Sequence, residues 1–236
     1  MKIVTWNCQG SFRTKAEYMA RLKPDIAIIQ ECEALDRLTK LGTVWQPTQS
    51  WWHGDLRYKG VGIFAFNRTT FTVCEPLTTA VRYCLPIHVQ GAMTFNVLAI
   101  WAMATKQKET SYIGQVYQGV QLYEGFLTER EAVVVGDLNS NTHWDAERRI
   151  GNHSAVVRFL DERGLVSAYH SHYNEVQGAE TQPTFYLQRN QSKPYHIDYC
   201  FVPQSWTDRL HHVTVGRYSE WHHLSDHCPL IVEVAE

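Results

Sequence analysis

Short apolar runs, each closed by a polar residue, recur along the chain and set its predicted strands. Lys2–Asn7, Asp25–Glu31, Val61–Phe66, Phe95–Trp101, Ala132–Asp137, Tyr195–Val202 and Leu230–Val234 are rich in Val, Ile and aromatics, as half-buried or buried strands are. Three segments carry a helical period instead. Thr14–Leu22 stops at Lys23-Pro24, a natural terminator. Tyr117–Thr128 places Val120, Tyr123 and Leu127 on one stripe, and His153–Arg163 does so with Val156, Val157 and Leu160 before Gly164 as C-cap. Strands with helices interspersed, with no repeat and no linker, predict one α/β domain over residues 1–236, built on two sheets.

Composition narrows the function classes. Among 236 residues, 22 Lys+Arg against 24 Asp+Glu leave a formal charge of −2, which excludes a protein that grips nucleic acid chiefly by bulk charge. The 44% hydrophobic and 19% charged content is that of an ordinary globular chain. The 12 His and 8 Trp suit functional sites and packed cores equally. The cysteines, Cys8, Cys32, Cys74, Cys84, Cys200 and Cys228, form no C-x-x-C pair, and the first residues lack the apolar run of a leader. A cytoplasmic location is the expectation, with the thiols as small buried groups. Val97–Ala104, the longest strongly apolar stretch, is too short to cross a bilayer, so no membrane partner is expected, and a monomer is.

The polar residues that close the strands carry the candidate chemistry. Strand alternation puts residues i and i+2 on one face, so Asp137 and Asn139 should project together, as should His196 and Asp198. Glu31 ends another run, and Asp226 stands beside His227. Taken singly, each acid is ordinary turn or cap chemistry, and Asn7 could bond its own backbone. Taken together, Glu31, Asp137, Asp198 and Asp226 would crowd one rim if their strands shared a sheet edge, and like charges there need a cation. The oxygen donors suit Mg²⁺ or Mn²⁺ rather than zinc.

Thr5-Trp6-Asn7, Ile29-Gln30-Glu31, Gly60-Val61-Gly62, Gly136-Asp137-Leu138-Asn139, His196-Ile197-Asp198-Tyr199 and Ser225-Asp226-His227 stand in this order. In these residues the chain resembles the endonuclease/exonuclease/phosphatase superfamily, the fold of deoxyribonuclease I and exonuclease III, from residue 3 to residue 234. The resemblance implies a four-layer sandwich of two packed, mostly antiparallel sheets flanked by helices, and a metal-dependent phosphoesterase site at one rim. It implies Glu31 as principal Mg²⁺ ligand with Asn7 and Asp226 near the ion, Asp137 and Asn139 on the attacking water, and His227 on the phosphate, oriented by Asp198. One slot departs from the family: a His or Tyr is usual where Trp101 stands, and indole is neither acid nor base. A neighbour such as Tyr112 or a histidine would have to substitute, or the leaving group needs less help. Met103-Ala104 replace the Pro-Asn of apurinic/apyrimidinic endonucleases, so abasic-site specificity is not carried over.

The Trp45–Tyr58 segment reads as an aromatic loop, and His211, His212, Trp221, His222 and His223 as a solvated group. Loop aromatics with Arg suit base stacking and phosphate contacts, although most serve equally well as loop packing. Arg57 and Tyr58, directly before Gly60-Val61-Gly62, are the first substrate-binding candidates, followed by Phe185 and Tyr186, with Trp101 at the departed slot. The expected activity is a divalent-metal-dependent nuclease on DNA or RNA. A phosphatase or phosphodiesterase on a nucleotide, sugar phosphate or lipid head group is the alternative, and a non-catalytic binding protein the third.

Overall fold

A computed structural model of the protein describes residues 1–75, 77–78, 80–106, 110–146 and 151–235. β1 (Lys2–Asn7) runs through a 3-10 turn and α1 (Ala16–Ala20) to β2 (Ile26–Cys32), and β3 (Gln49–Leu56) and β4 (Lys59–Ala65) form a hairpin. Next come β5 (Thr70–Val73), β6 (Cys84–Gln90), β7 (Phe95–Trp101), α2 (Ile113–Leu122), α3 (Glu124–Thr128) and β8 (Ala132–Asp137). The chain continues through α4 (His153–Asp161), β9 (Leu165–Ser167), α5 (Ala168–Tyr173), β10 (Phe185–Tyr186), β11 (Pro194–Tyr195) and β12 (Asp198–Pro203). It closes with β13 (Leu210–Val215), α6 (Tyr218–Trp221) and β14 (Leu230–Val234).

The strands make two six-stranded sheets, ordered β13-β14-β1-β2-β4-β3 and β5-β6-β7-β8-β12-β9, plus the small ribbon β10-β11. Each large sheet has one parallel pair at its centre, β1 with β2 and β7 with β8, and is antiparallel elsewhere. Alternation explains how the sheets meet. Val133 and Val135 of β8 and Cys200 and Val202 of β12 join the core shared with the first sheet, whereas Val134, Tyr199 and Phe201 join the core under α2, α3 and α4. In β1, Thr5 and Asn7 face the second sheet, while Trp6 turns outward onto Phe12 and Trp221 at ring separations of 6.5 and 5.1 Å. The expected layering of two packed sheets flanked by helices is therefore present.

Several boundaries differ from the sequence pattern for physical reasons. The Thr14–Leu22 helix is only Ala16–Ala20, because a 3-10 turn at Phe12–Thr14 takes up its start. The Tyr117–Thr128 helix is two helices broken at Tyr123, whose ψ of 19° leaves the helical range. Gly164 follows α4 in the left-handed region at φ 71°, as a C-cap requires. The Trp45–Tyr58 loop is mostly the edge strand β3, where Trp52 packs on Gly60 and gives its indole N–H to the Cys32 carbonyl at 3.0 Å. The Tyr195–Val202 run is not one strand: Tyr195 belongs to the ribbon, and β12 starts at Asp198 after a break at His196-Ile197.

Candidate active site

The deepest residues of the site end the central strands of both sheets. Asp137 continues the inward face of Val133 and Val135 and is fully buried. Its Oδ2 accepts the Asn7 side-chain amide from β1 at 2.9 Å, and its Oδ1 accepts the Asn139 backbone N–H at 2.8 Å. Asn139 lies beside Asp137 as expected, but not by strand alternation. The strand has ended, Asn139 sits at φ 49°, and its backbone folds back onto the carboxylate. Gly136 makes the approach possible: at φ 143° it lies so close to β7 that a Cβ would meet the Ile100 carbonyl oxygen at 1.9 Å. Burial pushes the Asp137 carboxyl up to about 7, with Asp198 adding to the push and His227, Asn7 and the Asn139 N–H opposing it.

Asp198 and His227 form the second pair. His227 Nδ1 lies 2.8 Å from Asp198 Oδ2, both groups being buried. Burial alone would disfavour the charged ring, yet the Asp198 carboxylate, joined by Asp137 and Asp226, outweighs it and lifts the imidazole to about 10. The pair is fixed from outside. Thr184 Oγ1 accepts the N–H groups of Ile197 and Asp198 at 3.0 Å each, and Trp6 donates its indole N–H to the His227 carbonyl at 2.9 Å. His196, expected on the same face as Asp198, instead turns under the sheet. Its Nδ1 meets the Gln182 carbonyl at 2.8 Å and its ring packs on Tyr169. Burial drives it down to about 4, so it is a neutral core histidine.

Glu31 and Asp226 stand at the open side of the rim. A register shift between Gln30 and Cys32 puts Glu31 at φ 57°, a bulge that re-aims its side chain toward Asn7, whose amide lies 3.5 Å from Oε1. Gln9 links the other partners, giving its backbone N–H to Asn7 Oδ1 at 3.0 Å and its side-chain amide to Asp226 Oδ2 at 2.9 Å. Burial raises the Asp226 carboxyl, and the charge of Glu31 raises it further. Two oxygen-donor acids that repel each other on an accessible rim fit a hard divalent cation. Asp137, Asp198 and His227 also offer ligand atoms within 4.8 Å of one another. That trio suits a metal less well, since a ring held protonated is a poor ligand and its Nδ1 is taken by Asp198.

Of the substrate candidates, Phe185 reaches the site, its ring 4.7 Å from that of His227. Tyr186, next on the same strand, points the other way and packs on Tyr218 at 4.6 Å, which corrects its expected role. Arg57 and Tyr58 occupy the turn between β3 and β4. Tyr58 is exposed, but Arg57 is paired with Asp36. Trp101 does end β7 beside Asp137 in register. It is only 3% exposed, with Tyr83 at 4.8 Å and the Lys59 ammonium at 5.3 Å, and lines a cavity with both. Tyr112 stands near the rim, lining a cavity with Asn139.

The sequence profile of the Endonuclease/Exonuclease/phosphatase family matches residues 4–227. The chain belongs to that family. No curated protein matches it in sequence. Among solved structures it is similar to the 3′ phosphatase NExo from Neisseria bound to product DNA hairpin, at 18% identity and TM-score 0.67, covering 100% of both chains. An AP endonuclease from Archaeoglobus fulgidus follows at 17% identity and TM-score 0.67, also covering 100% of both. The catalytic domain of Xenopus laevis APE2 matches at 16% identity and TM-score 0.71, covering 99% of this chain and 91% of that one. The endonuclease/exonuclease/phosphatase fold thus spans the chain from β1 to β14.

Within that fold, two residues join the site that motif reading missed. Lys59 pairs with Glu31 at 3.1 Å from the strand beside it. Its position between Tyr58 and Gly60-Val61-Gly62 was the available signal, since it continues the inward face of Val61 and Ile63. Gln9 had no signal: it lies in a loop at φ 52° and becomes relevant only when Asp226 is brought across from far along the chain.

Proposed function

We propose that the protein is a divalent-metal-dependent nuclease that hydrolyses phosphodiester bonds of DNA or RNA by attack of a water. One observation carries the reading: a buried carboxyl lifted to about 7 (Asp137) and an imidazole lifted to about 10 (His227) share one rim with Glu31 and Asp226. That rim offers a base matched to neutral pH, a fixed cation for phosphate, and oxygen ligands for a metal.

Held by Glu31 and Asp226 with Asn7 beside them, Mg²⁺ or Mn²⁺ would neutralise charge building on the phosphate oxygens. Asp137 takes the proton of the attacking water, and the bonds from Asn7 and the Asn139 N–H keep its carboxylate aimed. The Asn139 side-chain NH2 donates to the Ala102 carbonyl at 3.3 Å and to Asp137 Oδ2 at 3.4 Å, which leaves its Oδ1 to accept from the same water. His227 has its Nδ1 fixed by Asp198 and presents its other N–H to a non-bridging phosphate oxygen. Lys59 holds Glu31 in place and adds positive charge near the phosphate.

Incubation with supercoiled plasmid, single-stranded oligonucleotide, RNA and a simple phosphomonoester, each with Mg²⁺, Mn²⁺ or EDTA, tests this. Metal-dependent cleavage of nucleic acid that drops at least about a hundredfold in Glu31→Gln and Asp137→Asn is expected. Turnover of the phosphomonoester alone would sink the nuclease reading in favour of a small-substrate phosphatase. No turnover at all, with no divalent ion bound by calorimetry, would leave a non-catalytic binding protein.

A further inference from the structure

The exposed aromatic side chains among the described residues are Tyr58, Tyr112 and Trp144, and two of them flank one cavity. Tyr112 and Trp144 line a hollow of about 250 Å³ together with Asn139, Ser140 and Asp145. Tyr112 is 41% and Trp144 48% exposed, a large apolar surface in water directly beside a residue of the site.

Both residues are held through the backbone that carries them. Tyr112 sits at φ 51°, a region disfavoured for a residue with a Cβ, and its N–H is tied to the Met103 carbonyl at 2.8 Å. Trp144 ends the 3-10 turn Thr142–Trp144, which the buried Asn141 caps and anchors. The Asn141 amide reaches Glu180 at 3.1 Å, the His196 carbonyl at 3.0 Å and the Tyr199 hydroxyl at 3.2 Å. From Trp144 a line of rings leads inward: Tyr195 at 4.9 Å, Phe185 a further 6.3 Å on, then His227 at 4.7 Å. Phe185 and Tyr195 are direct cross-strand partners in the β10-β11 ribbon, so the ribbon's register sets this row.

The chemistry of the hollow selects its occupant. Among the described residues its one charged lining residue is Asp145, which repels a phosphate, while two aromatic side chains and the Asn139 and Asn152 amides suit a neutral, flat, hydrogen-bonding ring. Paired bases in a duplex hide their faces, so only an unpaired base can enter. We infer that the cavity between Tyr112 and Trp144 takes one unpaired nucleobase beside the scissile phosphate, so that the substrate is single-stranded or frayed nucleic acid rather than continuous duplex. The inference rests on the nuclease reading for its substrate class and extends it to strand state.

Fluorescence anisotropy in EDTA, where a metal-dependent enzyme cannot cut, tests it without relying on hydrolysis. The probes are a fluorescein-labelled oligothymidylate, the same length of abasic tetrahydrofuran units, and the corresponding duplex. The wild-type protein should bind oligothymidylate about tenfold tighter than the abasic strand, the scale of one base–aromatic stack. Trp144→Ala and Tyr112→Ala should bring that ratio close to one, and Trp144→Phe should keep most of it. Because the ratio is internal to each variant, partial unfolding cannot imitate the result. A wild-type ratio of one, a ratio unchanged in both alanine variants, no binding of either strand, or a duplex bound as tightly as the single strand overturns the inference. Ring-dependent binding without any hydrolysis would instead overturn the nuclease reading and leave the base site standing.

Discussion

His227 and Asp137 are neighbours whose proton affinities are pushed upward for opposite reasons. Burial penalises the Asp137 anion, whereas for His227 the Asp198 carboxylate overrides burial. A carboxylate base near 7 must be ionised to work, so kcat/KM should climb with one proton's slope up to about pH 7. It should fall again as His227 loses its charge near 10. In Asp198→Asn the upper limb should move down by more than one pH unit and kcat should drop about a hundredfold or more, with KM moving far less. A pH–rate series on the two proteins checks this, and an unmoved upper limb would remove His227 from phosphate binding. The same pair has a stability consequence. Its folded value lies above the ordinary imidazole value of about 6.5, so its contribution is complete below that pH and is lost as pH rises through about 10. At this scale the sequence was most legible: Asn7, Glu31, Asp137, Asn139, Asp198, Asp226 and His227 all meet at one rim, because each closes or adjoins an apolar strand. Tyr186 packs away from the site and Trp101 is buried, neither of which was legible, because motif position does not reveal which face of a strand is covered.

Among the elements, the β7-β8 pair bears most on the site. Gly136 is the point where the strands approach too closely for any side chain, with Ile100 opposite it in register. Gly136→Ala should cost about 3 kcal/mol or more, through both the clash and the unfavourable φ. Urea unfolding will measure it, and a loss under about 1 kcal/mol would mean that β7 can yield. The Val- and Ile-rich strands β1, β2, β4, β7, β8 and β14 follow the sequence pattern and β12 follows it in part, while β3, β5, β6, β9, β10 and β13 do not. The reasons differ. β6 contains Pro86, which normally argues against a strand, and β13 carries His211 and His212 on an edge with one wet face. β3 alternates weakly because its partial burial comes from Trp packing rather than from a clean apolar face. Local pattern carries no record of such contacts.

Across the whole molecule, a formal charge of −2 coexists with a candidate nucleic-acid site. Most rim cations are already engaged: Arg57 with Asp36, Arg82 with Asp55, Lys59 with Glu31 and Arg189 with Gln9. Among the described residues few remain beside the site to release counterions, so the slope of log Kobs against log salt for a single strand should be shallower than about −3, where each phosphate contact contributes roughly −0.7. Binding titrations across a salt series measure that slope, and a steep one would mean that a cationic surface lies elsewhere. The layered architecture was legible from the count and spacing of apolar runs. The pairing order was not, because it depends on contacts between distant parts of the chain. The most distant of them is β14, which slots between β13 and β1 and follows directly on Asp226 and His227. Until that strand docks, β1 keeps one open edge and the imidazole has no fixed place beside Asp137. Catalytic competence therefore arrives with the last strand, so a partly synthesised or partly refolded chain cannot act on its substrate, and recovery of activity reports completion of the fold rather than its onset.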